Sequence, residues 1–150
     1  MLRATHHQLI GDVLGQHPAE RLGDRDEDLI IGLSVLLHDI GKMGIPDVIL
    51  NKNGELSESE QHEMQKHPQY AYDLIYPILY LRPAIEIPYC HHERWDGSGY
   101  PEGLRGEEIP LVARIFTVID NWDALNSDRP YRKAWPSEDV VAYLQGNAGS

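Results

Sequence analysis

The sequence predicts an all-α protein. Apolar residues recur at helical spacing, Gly and Pro cut the chain into short helical segments with little that alternates as a strand does, and Ser57 with Glu60 forms a helix-opening capping box. At 150 residues the chain has the length of one domain with one core, so residues 1–150 are read as a single unit.

The first segment, residues 2–16, places Leu9, Ile10, Val13 and Leu14 on one face and stops near His17-Pro18; it reads as a shortened helix. An acidic stretch, residues 23–28, leads into Leu29–Leu37, which is apolar on nearly every side, as a wholly buried central helix should be. Periodicity alone also permits a buried strand there. Asp26, Glu27 and Asp28 favour the helix, because carboxylates stabilise the positive end of a helix dipole. Gly41 and Gly44 end this segment, and Pro46 opens a loop. The helix from the Ser57 cap is expected to reach His67 and meet Pro68. Another follows from Tyr70 to about Leu74, with Tyr70, Leu74 and Ile75 inward. Residues 85–92 look helical, Pro88 marking a kink or a first turn. Residues 96–101 form a loop by composition. Pro110 suits a first helical position before a second strongly buried helix carrying Leu111, Val112, Ile115, Phe116, Val118, Ile119 and Trp122. Ser137, with Glu138 and Asp139, caps a last helix ending at Gly146.

Thirteen basic against 24 acidic residues leave a formal charge of −11. That argues against nucleic acid or an anionic membrane as partner through a broad basic face. Cys90 is the single cysteine, so neither an internal disulfide nor a cysteine-based zinc site is available, and a reducing, cytoplasmic setting fits. The apolar runs are too short for a membrane span, and the N-terminal residues do not read as a signal peptide.

The chemistry concentrates in the histidines. His38-Asp39 follows an apolar run, His91-His92 ends another helix, His67 closes the capped one, and Asp120 interrupts an apolar helix. Each is costly to bury alone. A single inward histidine is more often a hydrogen-bonded core residue than a ligand. Three histidine-bearing helix ends with one buried carboxylate tip the balance to metal, and a nitrogen and oxygen donor set without Cys points to Fe or Mn. His62, among acidic residues, reads as a solvated position.

Residues 38–42 (HDIGK), 91–101 (HHERWDGSGYP) and 109–125 (IPLVARIFTVIDNWDAL) resemble the HD-GYP subgroup of the HD phosphohydrolase superfamily, over nearly the whole chain. The resemblance implies an all-helical, metal-dependent bacterial signalling phosphodiesterase that opens cyclic di-GMP to linear pGpG, GMP or both. The implied metal ligands are His38, Asp39, His67, His91, His92 and Asp120, with one histidine from the first segment. The family's usual separation selects His6; His7 fits if the linker is one residue shorter. Some members hold a third metal through a glutamate one turn earlier, where this chain has Leu2 or Arg3, so two divalent ions are implied. Members usually continue past Ser150 into a final helix, so the C-terminal end is expected to be missing here.

Asp39 would bridge two cations about 3.5–4 Å apart, and the water they share would ionise near neutral pH and attack phosphorus. The developing charge needs fixed cations. By resemblance, Lys42 lies against the scissile phosphate, with Asp39 and Lys42 catalytic, and Arg129 and Arg132 meet the other phosphate. Gly99-Tyr100-Pro101 marks the subgroup and is tied to partner contacts, including diguanylate cyclase (GGDEF-type) domains; an upstream sensory or receiver domain is also implied. Asp96 and Arg114 are expected to hold this loop and the His91-His92 helix in place. The alternatives are a general HD-type nucleotide phosphohydrolase and an inactive module that binds a cyclic dinucleotide or a partner.

Overall fold

The computed structural model describes residues 24–128 and 132–149, and among these every regular element is helical. The helices are α1 (Asp24–Leu37), α2 (Asp47–Leu50), α3 (Glu58–Met64), α4 (His67–Ile75), α5 (Glu86–Cys90), α6 (Leu111–Asn126) and α7 (Ser137–Gly146). Three 3-10 segments, Ile40–Gly44, Leu79–Ile85 and Gly106–Glu108, join them. The expected first helix, residues 2–16 with His6 and His7, lies outside the described residues, as does Arg129.

The acidic lead-in is part of α1 itself, which resolves the strand alternative. Its Ser34 is buried and donates to the Ala84 carbonyl at 2.9 Å, tying α1 to the 3-10 segment before α5. The core gathers Tyr72 and Ile75 of α4, Ile85, Tyr89 and Cys90 around α5, Leu104 and Ile109 of the following loop, and Ala113 of α6. Fully burying one such Ile contributes about 2 kcal/mol.

Neither α1 nor α6 is wholly buried, contrary to the expectation from composition. Leu29, Ile31, Val35 and Leu36 of α1 are exposed, as are Leu111, Ile115, Val118, Ile119 and Trp122 of α6, where Ala113 and Phe116 form the buried side. A helix packed on one side gains nothing sequence-visible from being apolar on the other; composition reports what could be buried, and only packing decides what is.

The Ser57 capping box is present, with Glu60 N–H donating to Ser57 Oγ and Ser57 N–H to Glu60 Oε2. Its helix nevertheless ends at Met64 instead of reaching His67. A turn at Gln65 and Lys66 intervenes, and His67 begins α4, with Pro68 in the first turn where a missing N–H costs nothing. Within α4, Ile75 is buried as expected and Tyr70 partly so, but Leu74 is half-exposed. Pro88 lies in the first turns of α5. Pro110 is the residue before α6 rather than its first. Ser137 is the first residue of α7 rather than its cap, and its hydroxyl is paired with Asn126 Oδ1 at 3.2 Å.

Close approach sets the site's frame. The 3-10 segment Ile40–Gly44 lies against α4 so tightly that a Cβ on Gly41 would fall 1.8 Å from the His67 carbonyl oxygen. Only glycine permits that contact, and it brings Asp39 and His67 to the same place.

Candidate metal centre

Four imidazoles converge where α1, α4 and α5 end or begin. His38 follows α1, His67 opens α4, and His91-His92 follow α5. The ligand atoms of His67, His91 and His92 all lie within 4.8 Å of one another. His67 Nε2 stands 3.5 Å from His91 Nε2 and 3.7 Å from Asp39 Oδ1. His38 Nε2 is 3.3 Å from Asp39 Oδ2, and its ring centroid is 5.5 Å from that of His91. Asp120 sits on α6 one turn beyond buried Phe116, and its charge favours the protonated form of His38.

The backbone sets the ring tautomers. His38 Nδ1 contacts the Val35 carbonyl at 2.7 Å, His67 Nδ1 the Met64 carbonyl at 2.8 Å, and His91 Nδ1 the Ile87 carbonyl at 2.9 Å. A carbonyl only accepts, so each Nδ1 carries the hydrogen and each neutral ring presents its Nε2 lone pair to the centre. The 3.5 Å approach of His67 and His91 therefore sets two acceptors face to face, an arrangement that a cation between them satisfies. The donor set fits a divalent transition metal: neutral imidazoles and a carboxylate, with no thiolate.

Burial keeps the rings neutral. It lowers the pKa of His67; burial and the neighbouring His67 bring His91 to about 4; burial and His91 lower His92 further. His38 is the exception, its pKa raised chiefly by the hydrogen bond to Asp39. Burial works to raise the pKa of Asp39, but hydrogen bonds from His38 and Lys42 together outweigh it and hold the carboxyl well below the usual range. Lys42 Nζ reaches Asp39 Oδ2 at 2.6 Å.

Arg132 lies at the far end of α6, where its guanidinium donates to the Ala124 carbonyl at 2.6 Å and the Leu125 carbonyl at 3.3 Å, closing the helix C-terminus. Asp96 accepts the Ser98 N–H at 2.9 Å and pairs with Arg105, holding the turn at the start of the loop. Arg114 lies over Trp95, its guanidinium carbon 5.7 Å from the ring centroid, and does not reach the His91-His92 turn through any hydrogen bond among the described residues. His62 is exposed, as expected.

Two supports were not read from the sequence. Glu93 is buried beside the histidine pair and accepts the N–H groups of Glu102 and Leu104 at 2.8 and 3.0 Å. Thr117 of α6 donates to the His91 carbonyl at 2.9 Å. A carboxylate directly after two candidate ligands was the available signal for the first; the second had none.

A family model described as HD domain matches residues 13–150. The chain belongs to the HD domain family. Its motifs place it in the HD-GYP subgroup, whose members among the relatives are 46% identical or less. The cyclic di-GMP phosphodiesterase response regulator RpfG of Xanthomonas campestris is 46% identical over 134 residues, 87% of this chain and 35% of that protein. A cyclic di-GMP phosphodiesterase of Thermotoga maritima is 44% identical over 117 residues, 75% of this chain and 31% of the other. The 3'3'-cGAMP-specific phosphodiesterase 3 of Vibrio cholerae is 40% identical over 130 residues, 86% of this chain and 28% of the other. The chain thus spans about a third of the length of these relatives. No helix among the described residues is long and apolar enough to cross a membrane.

Proposed function

We propose that this HD-GYP domain is a metal-dependent phosphodiesterase that hydrolyses cyclic di-GMP to linear pGpG, GMP or both. The observation that carries the reading is the convergence of imidazole Nε2 atoms beside Asp39, each anchored ring already in the tautomer that ligates. Two divalent ions, Fe or Mn, are assigned to His6, His38, Asp39, His67, His91, His92 and Asp120. When bound, they supply Lewis acidity and a nucleophilic water near neutral pH.

The chain's own groups do the rest. Asp39, ionised throughout the physiological range, is the carboxylate facing both His38 and His67. Lys42 gives one of its three ammonium hydrogens to Asp39 and has two for the scissile phosphate, whose oxygens gain charge as the P–O bond to the ribose 3′ oxygen breaks. Arg129 is assigned to the second phosphate, joined by the Arg132 donors not committed to the end of α6. The names of the relatives support a cyclic dinucleotide as substrate. An upstream sensory or receiver domain, contacts of the Gly99-Tyr100-Pro101 loop with diguanylate cyclase domains, and a cytoplasmic location belong to the same reading, since the substrate is an intracellular signal.

The test is turnover by protein purified without oxygen and loaded with Fe or Mn, offered cyclic di-GMP, 3'3'-cGAMP and a panel of mononucleotides. Appearance of the linear dinucleotide or GMP from cyclic di-GMP is expected. Preference for 3'3'-cGAMP would reassign the substrate, preference for mononucleotides would favour a general HD phosphohydrolase, and tight binding without turnover would make the domain a receptor.

A further inference from the structure

His92 lacks the anchor that its three neighbours have. His38, His67 and His91 each place Nδ1 on a backbone carbonyl at 2.7–2.9 Å, whereas no such bond to His92 is present among the described residues. Its ring lies instead on that of Tyr100, with centroids 4.8 Å apart and planes 23° from parallel. The edge of His67 closes it in, the two rings nearly perpendicular at 4.9 Å.

The loop that carries Tyr100 is fastened to the same turn of chain. Tyr100 N–H donates to the His92 carbonyl at 3.2 Å. Beyond it, Glu93 holds the Glu102 and Leu104 N–H groups, and the Tyr89 hydroxyl donates to Glu102 Oε1 at 2.5 Å. A Cβ on Gly99 would stand 2.4 Å from Arg94 N and 2.5 Å from the His92 carbonyl oxygen, so glycine is what lets the loop lie on the histidine turn. Ring, main chain and flanking carboxylate therefore fix Tyr100 and His92 relative to each other.

We propose that Tyr100 is a positioning residue for metal binding: its aromatic face sets the plane of His92, as backbone carbonyls set the other three imidazoles. The inference rests on the metal reading of the centre and adds a role for the Gly99-Tyr100-Pro101 loop within the site itself. The aromatic face is what the role requires, not the hydroxyl.

The experiment is anaerobic titration of the full chain with Co²⁺, following its visible absorption bands, ion stoichiometry and affinity, with circular dichroism reporting the fold. Tyr100→Phe keeps the face and should match the unaltered chain in affinity and spectrum. Tyr100→Leu should bind one ion about 10–100-fold more weakly, with altered bands. If Tyr100→Leu does not fold, Tyr100→Met, which keeps apolar bulk without a plane, takes its place. Unchanged affinity and bands in the folded Leu or Met variant would overturn the inference, as would equal loss in Tyr100→Phe, which would assign the effect to the hydroxyl. Failure of the unaltered chain to take up Co²⁺ would defeat the metal reading, and this inference with it.

Discussion

Asp39 and Lys42 are three residues apart and in contact, yet their removal should have different consequences. Asp39 carries the negative charge facing two imidazoles, so Asp39→Asn, nearly isosteric but neutral, is expected to lose bound metal and with it all turnover, as measured by metal analysis after gel filtration. Lys42 is a partly exposed cation, and its ion pair with Asp39 contributes about 1 kcal/mol or less to stability. Lys42→Met should therefore retain fold and metal while turnover of cyclic di-GMP falls about 10²–10³-fold, the size of loss seen when one donor to a developing oxyanion is deleted. Loss of metal from Lys42→Met would count against that division of roles. Both residues were legible as a motif, since a carboxylate and an imidazole at the end of an apolar helix need each other or a cation. The tautomer of each ring was not, because it depends on whether a carbonyl three or four residues back points at Nδ1, which no residue pattern encodes.

Among the elements, the contact between the Ile40–Gly44 segment and α4 has the least room. Gly41→Ala must push Cβ against the His67 carbonyl oxygen and the Ala71 nitrogen, both backbone atoms that cannot swing aside. It is expected to cost about 2 kcal/mol or more in chemical denaturation, and to weaken metal binding by displacing His67. Gly32, within α1, is the contrast: among the described residues nothing lies within 4 Å of its would-be Cβ, so Gly32→Ala should stabilise the domain by about 0.5–1 kcal/mol through helix propensity alone. A gain from Gly41→Ala, or a loss from Gly32→Ala, would contradict this account of where the helices touch. Periodicity and capping located α3, α4 and α6 because those signals are local. The break between Met64 and His67 was missed because Pro68 was read as a stop, although proline in the first turn opens a helix equally well. That break turns His67 from the last residue of one helix into the first of the next, and so directs its side chain to the centre.

For the whole molecule, the net charge of −11 and the chemistry of the centre belong to different regions. Asp26, Glu27, Asp28, Glu55 and Glu58 are exposed, whereas the centre holds neutral rings, one ionised carboxylate and Lys42. An acidic total therefore excludes a broad polyanion-binding face without excluding one small phosphodiester, since divalent ions bring positive charge that the sequence does not count. The same ions should also support the fold, because the unfolded chain cannot bring α1, α4 and α5 together to offer a comparable donor set. At a free metal concentration a hundredfold above Kd, the linkage adds about 2.7 kcal/mol, which for a domain of this size is on the order of 5–10 °C in Tm. Chelation of the loaded protein is thus expected to lower Tm by that amount, and readdition of Mn²⁺ or Fe²⁺ to restore it, in thermal melts under anaerobic buffer. An identical Tm with and without chelator, in protein whose metal loss has been verified, would mean that the imidazoles are held in place by packing alone and that the ions add no stability to the fold.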